Sequence, residues 1–265
     1  MRRSIDYVQT PRPIVALADE YPAGFIDPRH QHHRAQLLYA STGVMSISTD
    51  EGSFVVPPQR ALWIPPGVEH EVSCRESVSL RTLYFDPSVT ADLPDHCRVL
   101  EISDLMRALV LEAMTLRPEY DMEGRDGLVM RLIQFEINRM PNAPLHVPMP
   151  KDPRLARVCR AIVADPAREG DLDHWAKIAG MGRRTLTRQF KQETGVGLAA
   201  WRQHVRLLEA LSRLAVGQSV TTVAFDVGYE SPSAFTAMFQ RTFGVPPSRY
   251  FSKEYSASAQ TGEES

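Results

Sequence analysis

An α+β protein of two domains, an antiparallel β-barrel with flanking helices followed by an all-α unit, is what the sequence predicts. Three observations predict it. Short runs of β-type residues separated by Gly, Pro, Asp and Ser fill the front of the chain, one helix-turn-helix pattern occurs twice in the back, and a proline-rich stretch divides the two. At 265 residues there is length for two proper cores.

The front runs are AQLLYAST, VMSIST, GSFVVPP, RALWIPP, HEVSC and SLRTLYF, between residues 14 and 85. Several short strands at such spacing predict a sandwich or a small barrel. Beyond them, residues 100–116 and 127–140 carry apolar side chains at helical spacing: Leu105, Leu109, Ala113 and Leu116, then Leu128, Leu132 and Phe135, with Arg139 closing the row. Such helices either cover the open side of the barrel or form a contact with a second copy of the chain.

Residues 141–154, PNAPLHVPMPKDPR, hold five prolines in fourteen positions and exclude a regular helix. The stretch also separates two charge regimes. Residues 151–255 hold 16 Lys and Arg against 10 Asp and Glu, and residues 1–150 hold 14 against 20, so a net charge of −2 hides a basic half and an acidic half. Any phosphate-facing surface belongs to the basic half. The expected domains are therefore 1–140, a linker 141–154, a second domain 155–253 and a disordered tail 254–265.

The duplicated pattern lies in 171–195 and 219–244. Ala176 pairs with Ala224 and Gly180 with Gly228 at an offset of 48, whereas Leu186 pairs with Phe235, Phe190 with Phe239 and Gly195 with Gly244 at 49. Glu230 is the residue added in the second turn. Each copy runs from a short apolar-periodic helix through a glycine into a second helix, and repetition of a whole supersecondary unit argues against an ordinary helical bundle. Leu186 with Phe190, and Phe235 with Phe239, stand at i, i+4 and turn one face of each second helix inward. The faces left outward carry Arg183, Arg184, Thr187, Arg188 and Lys191 in the first copy and Ser233, Thr236 and Gln240 in the second.

The segments AKIAGMGRRTLTRQFKQETG, WRQHVRLLEALSRL and VGYESPSAFTAMFQRTFGVPPSRY resemble the AraC/XylS regulators over about residues 155–251. The resemblance implies two DNA-binding units joined by a long helix over 198–216, and the spacing of Val205, Leu208, Leu211 and Leu214 independently fits a helix with one buried face. It further implies a sequence-specific regulator of transcription, with double-stranded DNA, a small-molecule effector and a second copy of the chain as partners and RNA polymerase as a further candidate. Arg184, Thr187 and Arg188 fall on the base-reading positions of that family. Arg183 and Lys191, nearer the edges of that face, are expected to meet phosphates. Ala237 stands where many relatives carry arginine, so the second unit is expected to position the protein on DNA more than to read bases.

In the front domain, His30-x-His32-x3-Gln36-x6-Gly43 and Pro65-x-Gly67-x2-His70 resemble the two motifs of the cupin superfamily, whose three histidines and a glutamate hold a metal. The resemblance covers about residues 25–85. Three departures accompany it: Gln36 replaces the glutamate, Gln59 stands where a Gly is expected, and Cys74 stands at a closing Asn position. No cofactor is required by this reading. A divalent metal on His30, His32, Gln36 and His70 is one use of the residues, weakened by the uncharged amide; hydrogen bonding to an effector or among the histidines is the other. Tyr39 and Trp63 join His30, His32, Gln36 and His70 as candidate effector contacts, Tyr84 and Phe85 could line the same cavity, and packing in the core is the alternative for all four aromatics.

Paired carboxylates, a nucleophile with its base and a phosphate-cradling loop are all missing from the sequence, so the chain is not expected to be an enzyme; a metal-dependent cupin enzyme is the alternative that rests wholly on the metal. Another alternative is a regulator whose barrel serves only for assembly. Cys74, Cys97 and Cys159 form neither a disulfide framework nor a zinc motif, and neither a signal peptide nor a membrane-spanning run occurs in the sequence. A cytoplasmic protein with no membrane partner is expected.

Overall fold

A computed structural model of the chain describes residues 10–251. The first nine residues of the expected front domain, the end of the second and the whole of the expected tail 254–265 lie outside them. The chain divides into two compact units, Met1–His146 and Val147–Ser265, and the division falls inside the proline-rich stretch.

The first unit is built on two antiparallel five-stranded sheets. Its strands are β1 (Ile14–Tyr21), β2 (Ile26–His30), β3 (Ala35–Thr42), β4 (Met45–Thr49), β5 (Gly52–Val56), β6 (Arg60–Ile64), β7 (His70–Cys74), β8 (Val78–Phe85), β9 (Arg98–Glu101) and the edge strand β10 (His146–Pro148), which begins at the unit's last residue. One sheet runs β1-β8-β3-β6-β9 and the other β10-β5-β4-β7-β2. Among the described residues no strand pair links the two sheets, so the expected barrel is an open one, a sandwich. Strand alternation then sorts the side chains. On β3, Ala35, Leu37 and Tyr39 face a helical layer, while Gln36 and Leu38 face the other way.

That layer consists of α1 (Asp104–Ala113), capped by Ser103 Oγ on the Met106 N–H, and α2 (Arg125–Ile137). Two expectations are corrected here. Residues 100 and 101 are strand rather than helix, because Arg98–Glu101 completes the edge of the first sheet against Arg60–Trp63. The apolar row of α2 that enters the core is Met130, Ile133 and Ile137, joined by Met106, Val110 and Ala113 of α1 beneath Tyr39, Trp63 and Phe85. The expected row Leu128, Leu132 and Phe135 is exposed, Phe135 at 73%. The helix is apolar on two opposite faces, and periodicity alone fits both.

Two motif positions owe their identity to backbone geometry. Gly43 sits at φ +79°, where a Cβ would lie 2.5 Å from the Ser77 carbonyl oxygen. Gln59, at the position where the second motif has glycine, takes the left-handed φ of 66°, alone among the described non-glycine residues.

The second unit is all helical: α3 (Pro153–Ala164), α4 (Leu172–Ala179), α5 (Arg183–Thr194), α6 (Leu198–Ala215), α7 (Val220–Asp226), α8 (Pro232–Phe243) and the short α9 (Pro247–Tyr250). Asp152 caps α3 by accepting from the Arg154 N–H at 2.8 Å, and the Arg154 guanidinium, aided by that backbone bond, holds its carboxyl down at about 2. Gly180, Gly195 and Gly244 close α4, α5 and α8 in the left-handed conformation that glycine adopts without a Cβ clash. The buried face of α6 includes Trp201, Val205, Leu208 and Leu211, while Leu214 is only half-buried. All three cysteines are free and buried, their thiols pushed up by burial to about 11 for Cys74 and about 12 for Cys97 and Cys159.

Candidate nucleic-acid interface and histidine cluster

The two helix-turn-helix units are α4 with α5 and α7 with α8. In each, a small alanine is buried at the crossing, Ala176 in one and Ala224 in the other. On α5, Leu186 and Phe190 are fully buried. Arg183, Arg184, Thr187, Arg188 and Lys191 are all exposed, and with Leu172 and Gln192 they line an open surface groove. Asp173 draws Arg183 toward α4 through a 3.3 Å ion pair. The Thr187 hydroxyl donates to the Arg183 carbonyl at 3.0 Å, which leaves its methyl group rather than its hydroxyl proton to offer a partner.

On α8, Phe235, Phe239 and Phe243 are buried and stack edge to face. Ser233 and Gln240 are exposed and Thr236 is half-buried. The helix presents an uncharged outer row apart from Arg241, whose guanidinium lies on the Met238 sulfur at 2.9 Å.

Two arginines of α6 join the units, and the sequence reading did not single them out. Arg206 donates to the Pro166 carbonyl at 2.9 Å and to that of Gly228, in the second turn, at 3.0 Å. Arg202 lies 4.9 Å over the Trp175 ring and donates to the Gly170 and Arg168 carbonyls. Their i, i+4 spacing on one helix was the only signal available.

In the first unit, His30, His32 and His70 bring one ring nitrogen each within 4.8 Å of one another. A register shift on β2 between Asp27 and His30 sets His30 directly opposite His70 on β7. Each imidazole is turned by a backbone carbonyl: Nδ1–H of His30 donates to Pro28 O at 2.7 Å, that of His70 to Val68 O at 2.9 Å and that of His32 to Arg34 O at 2.5 Å. Nε2 therefore carries the lone pair in His30 and His70. His70 is fully buried, and its Nε2 has no hydrogen-bond partner.

Gln36 completes the cluster from the other sheet. Its Oε1 lies 3.0 Å from His32 Nε2, while its Nε2 donates to Thr82 Oγ1 at 2.9 Å and to Tyr84 Oη at 3.2 Å. The Thr82 hydroxyl spends its own proton on Leu37 O, so it must accept from the amide, and the amide oxygen is thereby aimed at the histidines. Burial lowers the pKa of His32 and pulls that of His70 down to about 4, so both rings are neutral near pH 7.

Alternation separates two of the expected contacts from this cluster. Tyr39 and Trp63 lie on the opposite face of their sheet, under α1 and α2, where the Trp63 indole donates to Pro94 O at 2.8 Å. Tyr84, whose ring stands 5.2 Å from that of His32, lies beside the histidines instead. Thr82, two residues before it on the same face, was missed although the parity of β8 pointed to it.

Residues 175–253 match the helix-turn-helix domain model and residues 13–133 match the AraC-like ligand binding domain model. The HTH-type transcriptional regulator NimR of Escherichia coli is 34% identical over 239 residues, covering 89% of this chain and 86% of that protein. The chain belongs to the AraC family of transcriptional regulators. The arabinose operon regulatory protein of Salmonella typhimurium is 25% identical across 77% of the chain and 78% of its own length. RipA of Corynebacterium glutamicum is 27% identical across 82% of the chain, which spans 61% of that longer relative. Among solved structures, the DNA-binding domain of AdpA in complex with a target DNA is 32% identical, covering 42% of this chain and all of that one at a TM-score of 0.37. As an AraC-family member the chain is a sequence-specific DNA-binding regulator with a ligand-binding front domain and a helix-turn-helix back domain, and no helix among its described residues is long and apolar enough to cross a membrane.

Proposed function

We propose that the chain is a cytoplasmic, homodimeric, non-enzymatic regulator in which a small effector at the histidine cluster changes how two copies engage an operator. In this reading α5 lies in the major groove. Arg184 and Arg188 read guanine edges and Thr187 offers its methyl to thymine, while Arg183 and Lys191 meet phosphates. On α8, Ser233, Thr236 and Gln240 position the protein on the duplex and respond to DNA shape. RNA polymerase is the further partner that a regulator bound near a promoter would meet.

The single observation that carries the DNA reading is the row Arg184, Thr187, Arg188 and Lys191, exposed on the face opposite the fully buried Leu186 and Phe190. A gel-shift titration at fixed salt tests it. Arg188→Ala is expected to weaken specific binding by about 1 to 3 kcal/mol, and Ala237→Gly to leave it nearly unchanged. Equal losses would overturn the division of labour between the units.

The histidine cluster also fits a divalent metal. The buried, unpartnered Nε2 of His70 supports this reading, as do three imidazoles each oriented by a carbonyl and an amide oxygen aimed among them. His30, His32 and His70 would hold the ion with Gln36 Oε1 beside them, and the ion would supply a Lewis-acidic point for an oxygen of the effector.

The dimer reading rests on α2. Leu128, Leu132 and Phe135 form an exposed apolar row on the face opposite the core, of the kind that marks an association surface.

A further inference from the structure

Every donor in the cluster is uncharged. Of the carboxylates around it, Asp50 and Glu69 both pair with Arg29, and Asp27 stands behind the His30 ring, 3.9 Å from Nδ1, the atom turned to Pro28 O rather than the Nε2 that faces the other histidines. A divalent ion among these donors would keep its full double charge beside the fully buried His70 and Gln36, which is 4% exposed. Buried charge of that size needs a counter-charge close by. None of the four donors provides one in direct contact, because Gln36 stands where a glutamate would have done so.

Resting on the metal reading above, we infer that the effector is an anion, a small carboxylate-bearing molecule whose oxygen completes the coordination and neutralises the metal, so that metal and effector bind cooperatively. Gln36 is the residue that makes the metal depend on the effector. Its amide is fixed by Thr82 and Tyr84, so its oxygen contributes a dipole where a glutamate would contribute charge. Reciprocity follows by linkage: whatever factor the anion adds to metal affinity, the metal adds to anion affinity.

The test uses the full chain, stripped by chelation and titrated with Co(II) at buffered free-metal concentrations, with the visible absorption of the bound ion as readout. Pyruvate serves as the anionic probe and its methyl ester as the neutral control. Saturating pyruvate is expected to tighten Co(II) binding about tenfold or more, with no tightening by the ester. In Gln36→Glu, Co(II) is expected to bind at least about tenfold tighter without any anion, and the gain from pyruvate to shrink toward unity. Wild-type protein that binds Co(II) with no response to pyruvate, or with an equal response to the ester, overturns the inference and leaves the metal site standing. Wild-type protein that shows no Co(II) spectrum, or a spectrum unchanged in the partly exposed His30→Ala variant, overturns the metal reading itself. Should Gln36→Glu fail to fold, the comparison of pyruvate with its ester in wild-type protein still decides.

Discussion

At the scale of single residues, the front-domain motifs encode backbone geometry as well as chemistry. Gly43→Ala places a Cβ against the Ser77 carbonyl in a left-handed conformation, and a loss of about 2 to 4 kcal/mol is expected in denaturant unfolding of the full chain. Gln59→Gly works in the opposite direction. It relieves the left-handed strain at φ 66° while adding freedom to the unfolded chain, and a net gain of about 0.5 to 1 kcal/mol is expected from the same measurement. A loss at Gln59→Gly would mean that the side chain makes contacts worth more than the strain. The histidines and Gln36 were legible because their spacing is a motif. Tyr84 was legible only as an aromatic that could line the cavity, and its hydrogen bond to Gln36 and the part of Thr82 were not, since a hydrogen-bond chain across β3 and β8 depends on a pairing that puts Gln36 opposite Tyr84. Tyr39 and Trp63 show the converse: both are large aromatics close to the motifs in sequence, and one step of strand parity put them in a different core.

At the scale of elements, the helical half was far more legible than the sheets. Duplication fixed helix order, the turn glycines and the outward faces of α5 and α8 before any coordinates, because helix contacts are local and a repeat tests each one twice. The inserted Glu230 appears as one extra residue between Gly228 and the Ser231 cap, compared with the interval from Gly180 to the Gly182 cap. What stayed hidden is how α6 joins its neighbours. Its apolar row gave the buried face, but nothing in that row singled out Arg202 and Arg206, which satisfy carbonyls of the 166–170 segment and the second turn. Arg206→Ala removes two charge-assisted hydrogen bonds and leaves two acceptors without them, so a loss of about 2 to 3 kcal/mol is expected in thermal or denaturant unfolding. Arg206→Lys is expected to recover only part, because an ammonium cannot span two carbonyls with the geometry of the guanidinium fork. Full recovery by lysine would reduce the contact to simple charge.

At the scale of the molecule, one helix connects folding to regulation. Met130, Ile133 and Ile137 commit one face of α2 to the core, and Leu128, Leu132 and Phe135 leave the other apolar and in water. Exposed apolar side chains at i, i+4 and i+7 add nothing to the fold of a lone chain, whereas against the same row of a second copy they would bury a continuous stripe. A dimer made there would give each complex two helical DNA-binding domains in place of one, and the second engagement would then be intramolecular, raising operator affinity through effective concentration without any new contact to DNA. The double substitution Leu128→Glu with Phe135→Glu separates this from a structural role. Both positions are exposed, so the melting temperature of the monomer should hardly change. Sedimentation is expected to shift from dimer to monomer at micromolar concentration, and affinity for a two-box operator to fall about tenfold or more, while affinity for a single box stays the same. A variant that remains dimeric places the interface elsewhere on the chain. One that turns monomeric yet holds the two-box operator as tightly as wild type would mean that each copy binds its box independently.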